Sequence, residues 1–72
     1  MKANINLKAD GSLLVIDLKT IKMHKKTNAS EKIISVDNLD DFYIERDRSY
    51  SFIGGNTVVL KGEDILTVEF YQ

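Results

Sequence analysis

Apolar side chains recur at even-numbered positions over the second half of the chain, from residue 33 to its end. These positions are Ile34, Val36, Phe42, Ile44, Tyr50, Phe52, Val58, Leu60, Leu66, Val68 and Phe70. Successive side chains of a β-strand point to opposite faces of a sheet, so a shared parity places these residues on one face. We therefore predict that this half of the chain forms strands that bury one continuous apolar surface.

Turn-forming residues divide the same half of the chain into short strands. Asp, Asn and Gly cluster between the apolar stretches, as they do in tight turns. The predicted strands lie at about 32–36, 42–46, 49–53, 57–61 and 65–71. If each strand pairs with the next, the sheet is an antiparallel meander crossed by two apolar rows. One row is Val36, Phe42, Phe52, Val58 and Val68, and the other is Ile34, Ile44, Tyr50, Leu60 and Leu66.

The first residues of the chain predict a β-hairpin. Apolar and polar residues alternate over Lys2–Lys8, and the pair Asp10-Gly11 follows, which favours a type I′ turn because both residues tolerate a positive φ. A two-residue loop at this pair sets the register of the hairpin. In that register the facing pairs are Leu7 with Leu14, Ile5 with Ile16, and Ala3 with Leu18.

The second strand of this hairpin is predicted to be long, over about residues 13–23. Its apolar residues change parity near Lys19-Thr20, which indicates a bulge that bends the strand. The polar stretch His24–Glu31 then reads as a loop. Together these elements predict an all-β fold in a single small domain over residues 1–72: an antiparallel up-and-down meander of about six or seven short strands, curled into a small barrel or roll.

The opposite, odd-numbered face carries more apolar residues than a solvated sheet face requires. They include Tyr43, Val59, Ile65 and Tyr71. We predict that these four residues bind a partner protein or a second copy, because contiguous exposed apolar area usually marks an interaction site. The alternative is that the N-terminal hairpin folds over this face and buries it.

Basic residues concentrate in the first part of the chain. The net charge is −1, yet residues 1–26 hold six Lys and two Asp, whereas the remainder holds nine acidic and four basic residues. Lys19, Lys22, Lys25 and Lys26 are the candidates for phosphate or nucleic-acid contact. The alternative is a solvated strand end, since no Arg and no aromatic residue for base stacking lies among them.

Three turn segments carry weaker chemical signals. The acidic run from Asp37 to Asp47 matches no calcium loop, and it is rich in ordinary turn residues. Arg46 and Arg48 flank Asp47 and could hold an oxyanion, or simply solvate the turn. Gly54-Gly55-Asn56 precedes a strand and not a helix, so it reads as a hairpin turn and not as a phosphate loop.

Catalytic and metal-binding patterns are not recognisable in the sequence. There is no Cys, and the single His, His24, lies among lysines. We expect no enzyme activity, no cofactor and no metal site. The sequence shows neither a secretory signal nor an apolar run long enough for a membrane helix, which predicts a cytoplasmic protein.

A small core without disulfides and a second apolar sheet face both favour association with another chain. Edge strands of an open sheet favour it further. The predicted function is a non-catalytic binding or inhibitory accessory protein that acts through protein–protein contacts and self-associates. The excess of Lys over Arg suggests a bacterial or phage origin. The alternative is a small nucleic-acid or nucleotide-binding β-barrel that uses the segment Lys19–Lys26.

Overall fold

A computed structural model describes residues 1–25 and 31–72, and within these ranges the chain forms seven strands and two short 3₁₀ helices. The strands are β1 (Lys2–Leu7), β2 (Ser12–Val15), β3 (Thr20–Lys25), β4 (Glu31–Ser35), β5 (Arg48–Ile53), β6 (Thr57–Lys61) and β7 (Ile65–Tyr71). The 3₁₀ helices are Val36–Asp41 and Gly62–Asp64. The all-β class, the antiparallel pairing and the strand number are confirmed. None of the described helices is long or apolar enough to cross a membrane.

The strands are arranged in two sheets, one with the order β2-β1-β7 and the other with the order β4-β3-β5-β6. No strand-to-strand ladder joins the two sheets among the described residues. Phe52 faces Val58 across β5 and β6, as predicted. The predicted pairing of Val58 with Val68 is wrong, because β7 pairs with β1. The apolar residues that pack against those of β7 therefore come from β1, at the other end of the chain. Ile5, for example, lies opposite Val68.

The N-terminal hairpin forms in a different register from the predicted one. Asp10 and Gly11 do have positive φ angles of 72° and 91°. However, the Leu7 N–H donates to the Gly11 carbonyl at 3.1 Å, so these residues end a longer loop and do not form the whole of a two-residue turn. Ala3 therefore faces Val15, which is buried. Of the predicted partners on the second strand, Leu14 and Ile16 are exposed instead, whereas Leu18 is buried.

The change of parity near Lys19-Thr20 marks a passage between sheets and not a bulge within one strand. β2 ends at Val15 and β3 begins at Thr20, so the predicted continuous strand over 13–23 is wrong. Between them Asp17 adopts a positive φ of 50°, which turns the chain from the three-stranded sheet to the four-stranded sheet. The predicted loop His24–Glu31 is also shorter, because His24 and Glu31 pair across β3 and β4.

The predicted strand at 42–46 is a crossing connection. β4 and β5 are both antiparallel to β3, so residues 36–47 must carry the chain back along the length of the sheet. Phe42 packs its ring against Tyr50, Phe52 and Phe70 at centroid distances of 5.8, 6.1 and 5.6 Å. An extended segment can bury alternate side chains without entering a ladder, which is why the sequence pattern resembled a strand.

The hydroxyl of Tyr50 fastens this connection to the core. It accepts a hydrogen bond from the Glu45 N–H at 2.7 Å and donates one to the Tyr43 carbonyl at 3.1 Å. The Tyr50 ring is fully buried. Burial raises the pKa of the Tyr50 hydroxyl above its ordinary value.

The even-numbered residues that were predicted to face inward largely form the core, with one exception in β7. Ile34, Tyr50 and Phe52 are buried, and most of the other even-numbered residues pack partly buried against them. Leu66 is instead 62% exposed, and Ile65 is 3% exposed. The register against β1 shifts at this point, so Leu66 is an extra, bulged residue that reverses the parity.

Candidate protein-binding edge

The three-stranded sheet has two edges, β2 and β7, with β1 between them. In an antiparallel ladder the backbone N–H and C=O groups of alternate residues point to opposite neighbours. The hydrogen bond from Leu7 to Gly11 shows that odd-numbered residues of β1 turn these groups toward β2. Even-numbered residues of β1, such as Asn6, therefore turn theirs toward β7.

This alternation fixes which backbone groups of β7 lie at the open edge. Asn4 and Asn6 of β1 face Glu69 and Thr67 of β7, so those two residues of β7 direct their backbone groups inward, to β1. Val68 and Phe70, which alternate with them, direct their N–H and C=O groups outward. The outer side chains are also fixed, since the Asn6 amide donates to Thr67 Oγ1 at 2.8 Å and to Glu69 Oε1 at 3.0 Å.

The edge formed by β2 is closed by the turn between β5 and β6. Asn56 Nδ2 donates to the Leu14 carbonyl at 2.8 Å, and Asn56 Oδ1 accepts from the Ile16 N–H at 3.0 Å. The Gly55 N–H donates to the Ile16 carbonyl at 2.7 Å. One primary amide thus supplies both a donor and an acceptor, as a neighbouring strand would.

The close approach of this turn to β2 requires glycine. A Cβ atom at Gly54 would lie 2.5 Å from the Ile16 carbonyl oxygen and 2.7 Å from that of Asp17. Both are backbone atoms, which cannot move aside as a flexible side chain can. Gly54-Gly55-Asn56 is a hairpin turn, as predicted, but its contact with β2 was not predicted. The sequence signal for this contact was the composition of the turn, which holds a second Gly and an Asn in addition to the one Gly that a turn needs.

The edge formed by β7 has no such cover among the described residues. The outward N–H and C=O groups of Val68 and Phe70 form no hydrogen bond with any described residue. β7 is also the longest described strand, and its only charged residue is Glu69. Exposed edges are usually guarded by Lys, Pro or a short strand length, and β7 has none of these. Its bulge at Leu66 protects only the first part of the strand.

The other open edges are better protected. β4 begins with Glu31 and Lys32, and the Glu31 carboxylate lies 3.8 Å from Lys22 Nζ and 3.5 Å from His24 Nδ1. β6 has five residues and ends in Lys61. Charged residues on an edge strand oppose pairing with another chain, because the new strand would have to desolvate or repel them. β7 is therefore the edge most open to strand addition.

The four residues predicted to bind a partner do not lie on one sheet face. Val59 is 67% exposed on the outer face of the four-stranded sheet, whereas Tyr71 is 47% exposed in β7. Tyr43 lies on the crossing connection, where the Lys32 ammonium is 5.9 Å from its ring centre. Ile65 belongs to the core because of the bulge, so its predicted exposure is wrong.

The N-terminal hairpin does not fold over the odd-numbered face, which was the alternative interpretation. It joins β7 to complete the three-stranded sheet. Ala3 and Ile5 of β1 enter the same core as Tyr50 and Phe52, so the hairpin covers the even-numbered face.

The predicted basic segment is divided by the strand geometry. Lys22 and Lys25 lie three residues apart in β3, so their side chains leave opposite faces of the sheet. Lys19 precedes the strand, at the end opposite to Lys25. Lys26 lies outside the described residues. The described lysines therefore do not form one phosphate-binding surface.

The turn with the two arginines borders a surface cleft of about 410 Å³. Arg48 forms an ion pair with Glu45, and its Nη1 lies 3.5 Å from Met23 Sδ, so it is held by the fold. The cleft is lined by Arg46, Asp47, Arg48, Ser49, Lys61 and Glu63. Its cations are nearly balanced by carboxylates, so the lining favours neither anions nor cations. Within the described residues no three His, Asp or Glu side chains cluster as metal ligands would.

Comparison with known proteins adds no relative. No protein-family model, curated protein sequence or solved structure matches this chain.

Proposed function

We propose that this chain is a non-catalytic binding protein that acts through protein–protein contacts, with β7 as its docking strand. The observation that carries the proposal is the open row of backbone groups at Val68 and Phe70. The same sheet closes its opposite edge with Asn56, so the open row is a local feature and not a general property of the sheet.

The chemistry of strand addition fits this edge. Each backbone hydrogen bond formed with an incoming strand contributes about 0.5–1.5 kcal/mol net. Val68 and Phe70 together present two donors and two acceptors. Main-chain bonds of this kind supply affinity, and alternate side chains supply specificity. On the outer face those side chains are Thr67, Glu69 and Tyr71, the last of which was predicted to bind a partner.

An accessory or inhibitory role in a bacterium or phage stays a prediction. The nucleic-acid alternative also stays a prediction, and the described lysines of the segment Lys19–Lys26 do not lie on one surface. It requires affinity for DNA or RNA that falls steeply with salt and weakens when Lys22, Lys25 and Lys26 are replaced by Ala.

The proposal is tested with a chemically synthesised chain that carries an N-methyl group at Phe70. The methyl group removes one outward N–H and leaves the side chain unchanged. Peptides selected from a random library for binding to the unmodified chain should bind the methylated chain at least tenfold more weakly, about the effect of losing one hydrogen bond and adding a steric block. They should also slow hydrogen exchange at the Val68 and Phe70 amides.

The internal control is the Ile16 amide, which is already bonded to Asn56. Its exchange should not change when a peptide binds. Selected peptides that bind both chains equally, or a library that yields no binder protecting these amides, would contradict the proposed docking strand.

A further inference from the structure

We infer that β7 of a second copy occupies this edge, in an antiparallel pair with a two-fold axis at Val68. This inference rests on the proposed function, since it names the partner for the same docking strand. Three features support it: the cross-strand neighbours that the axis creates, the way the joined sheet ends, and the low net charge.

A two-fold axis can lie at only a few positions if Val68 and Phe70 are to exchange hydrogen bonds with the second copy. An axis at Glu69 places two Glu69 carboxylates directly opposite each other, and like charges in that position are destabilising. An axis at Phe70 overlaps only residues 69–71 of β7 with its copy, which leaves most of the strand unused. An axis at Val68 allows the whole of β7 to overlap its copy.

The Val68 axis also gives compatible neighbours on the outer face. Each Glu69 comes opposite Thr67 of the second copy, and each Thr67 comes opposite Glu69. A hydroxyl group can donate a hydrogen bond to a carboxylate, and no pair of like charges is created. The Asn6 amide already holds both side chains on this face, so little further ordering is required. Each Phe70 comes opposite Leu66 of the second copy, the residue at which the register against β1 shifts.

The joined sheet is self-limiting. Two copies paired in this way form one sheet with the strand order β2-β1-β7-β7-β1-β2, which begins and ends at β2. At that edge the Leu14 carbonyl and both backbone groups of Ile16, the residue that follows the strand, already bond Asn56 and Gly55. The geometry therefore favours a closed dimer with a self-complementary interface over a growing fibre. With a net charge of −1 per chain, repulsion between the two copies is small.

Charge placement at residue 67 tests both the partner and the register. Thr67→Glu puts a carboxylate opposite Glu69 at both symmetric positions and should weaken the dimer about tenfold. The matched control is Thr67→Glu combined with Glu69→Thr, which has the same composition as the unmodified chain apart from the order of these residues. Because it restores a Glu–Thr pair across the axis, it should dimerise like the unmodified chain. Sedimentation equilibrium over a concentration series measures both.

Thermal unfolding of each variant at a concentration below dimer formation checks that the monomer still folds. If Thr67→Glu does not fold, the N-methyl Phe70 chain replaces it and should sediment as a monomer. A single-chain mass for the unmodified protein at millimolar concentration overturns the inference, as does a double variant that dimerises no better than Thr67→Glu. A monomer whose β7 amides are still protected by selected peptides would refute the second copy as partner and leave the proposed function standing.

Discussion

The two edges of the three-stranded sheet show how differently one sheet can end. At β2, the side chain of Asn56 and the backbone of Gly55 bond the Leu14 carbonyl and both backbone groups of Ile16. At β7, the corresponding groups of Val68 and Phe70 form no hydrogen bond with any described residue. The turn between β5 and β6 reaches only one of the two edges, so only the other can accept a strand from outside. The position of one turn thus decides which edge of the sheet keeps outward backbone groups without hydrogen-bond partners among the described residues.

Gly54→Ala should have the largest effect on the difference between the closed β2 edge and the open β7 edge. A methyl group there would overlap the carbonyl oxygens of Ile16 and Asp17, so the turn must leave β2. The expected loss is about 3 kcal/mol in the free energy of unfolding, measured by chemical denaturation. Gly55→Ala is the matched control, because the nearest atom to its Cβ belongs to the flexible Ile16 side chain. Equal losses for the two variants would mean that the backbone contact at Gly54 does not hold the edge closed.

Asn56→Asp should open the β2 edge with a smaller cost in stability. The variant loses the Nδ2 donor and places a carboxylate beside the Leu14 carbonyl, with an expected loss of about 2 kcal/mol in the free energy of unfolding. The variant should also change self-association, since a sheet with two open edges should form assemblies larger than a dimer. Asn38→Asp, at an exposed position in the first 3₁₀ helix, is the control.

Sedimentation and denaturation of the two Asn variants decide this prediction. Assemblies beyond the dimer should appear for Asn56→Asp and not for Asn38→Asp. If Asn56→Asp keeps the stability and the mass of the unmodified chain, the Asn56 amide is not what closes the β2 edge.

A still smaller effect is expected from Tyr50→Phe, which leaves both edges unchanged. It removes the two hydrogen bonds that fasten the crossing connection, for a loss of about 1 kcal/mol in the free energy of unfolding, while self-association should be unaffected. The unmodified chain should also lose stability as the pH rises above 10.0, the ordinary pKa of tyrosine, because the unfolded chain releases the proton before the folded chain does.

Chemical denaturation of Tyr50→Phe and of the unmodified chain, at neutral pH and at high pH, tests both expectations. The pH-dependent loss should be smaller in Tyr50→Phe. A variant that shows the same loss above the ordinary tyrosine pKa would place the responsible group elsewhere in the chain.

Features set by local chemistry could be predicted from the sequence. Alternation identified the buried faces at Tyr50 and Phe52, and the Asp10-Gly11 pair identified two residues with positive φ. The pairing of Phe52 with Val58 followed from a short turn that leaves few registers open. These predictions succeeded because neighbouring residues in the chain determine them.

Features set by distant parts of the chain could not be predicted in this way. Periodicity shows that β1 and β7 each have an apolar face, yet it does not show that they pair, because any alternating strand is a compatible partner. The bulge at Leu66 carries no Gly to mark it, so Ile65 was assigned to the surface when it belongs to the core. The open edge at β7 was the hardest feature to foresee, because it depends on backbone groups and on which edge the Asn56 side chain reaches.

Hydrogen exchange of single amides across a protein concentration series tests the open edge most directly. At low concentration the Val68 and Phe70 amides should exchange rapidly, and the Ile16 amide should exchange slowly because Asn56 accepts its hydrogen bond. As concentration rises, Val68 and Phe70 should become protected and Ile16 should not change. Protection of Val68 and Phe70 that is already complete in the dilute monomer, or exchange that stays rapid at every concentration, would contradict the account.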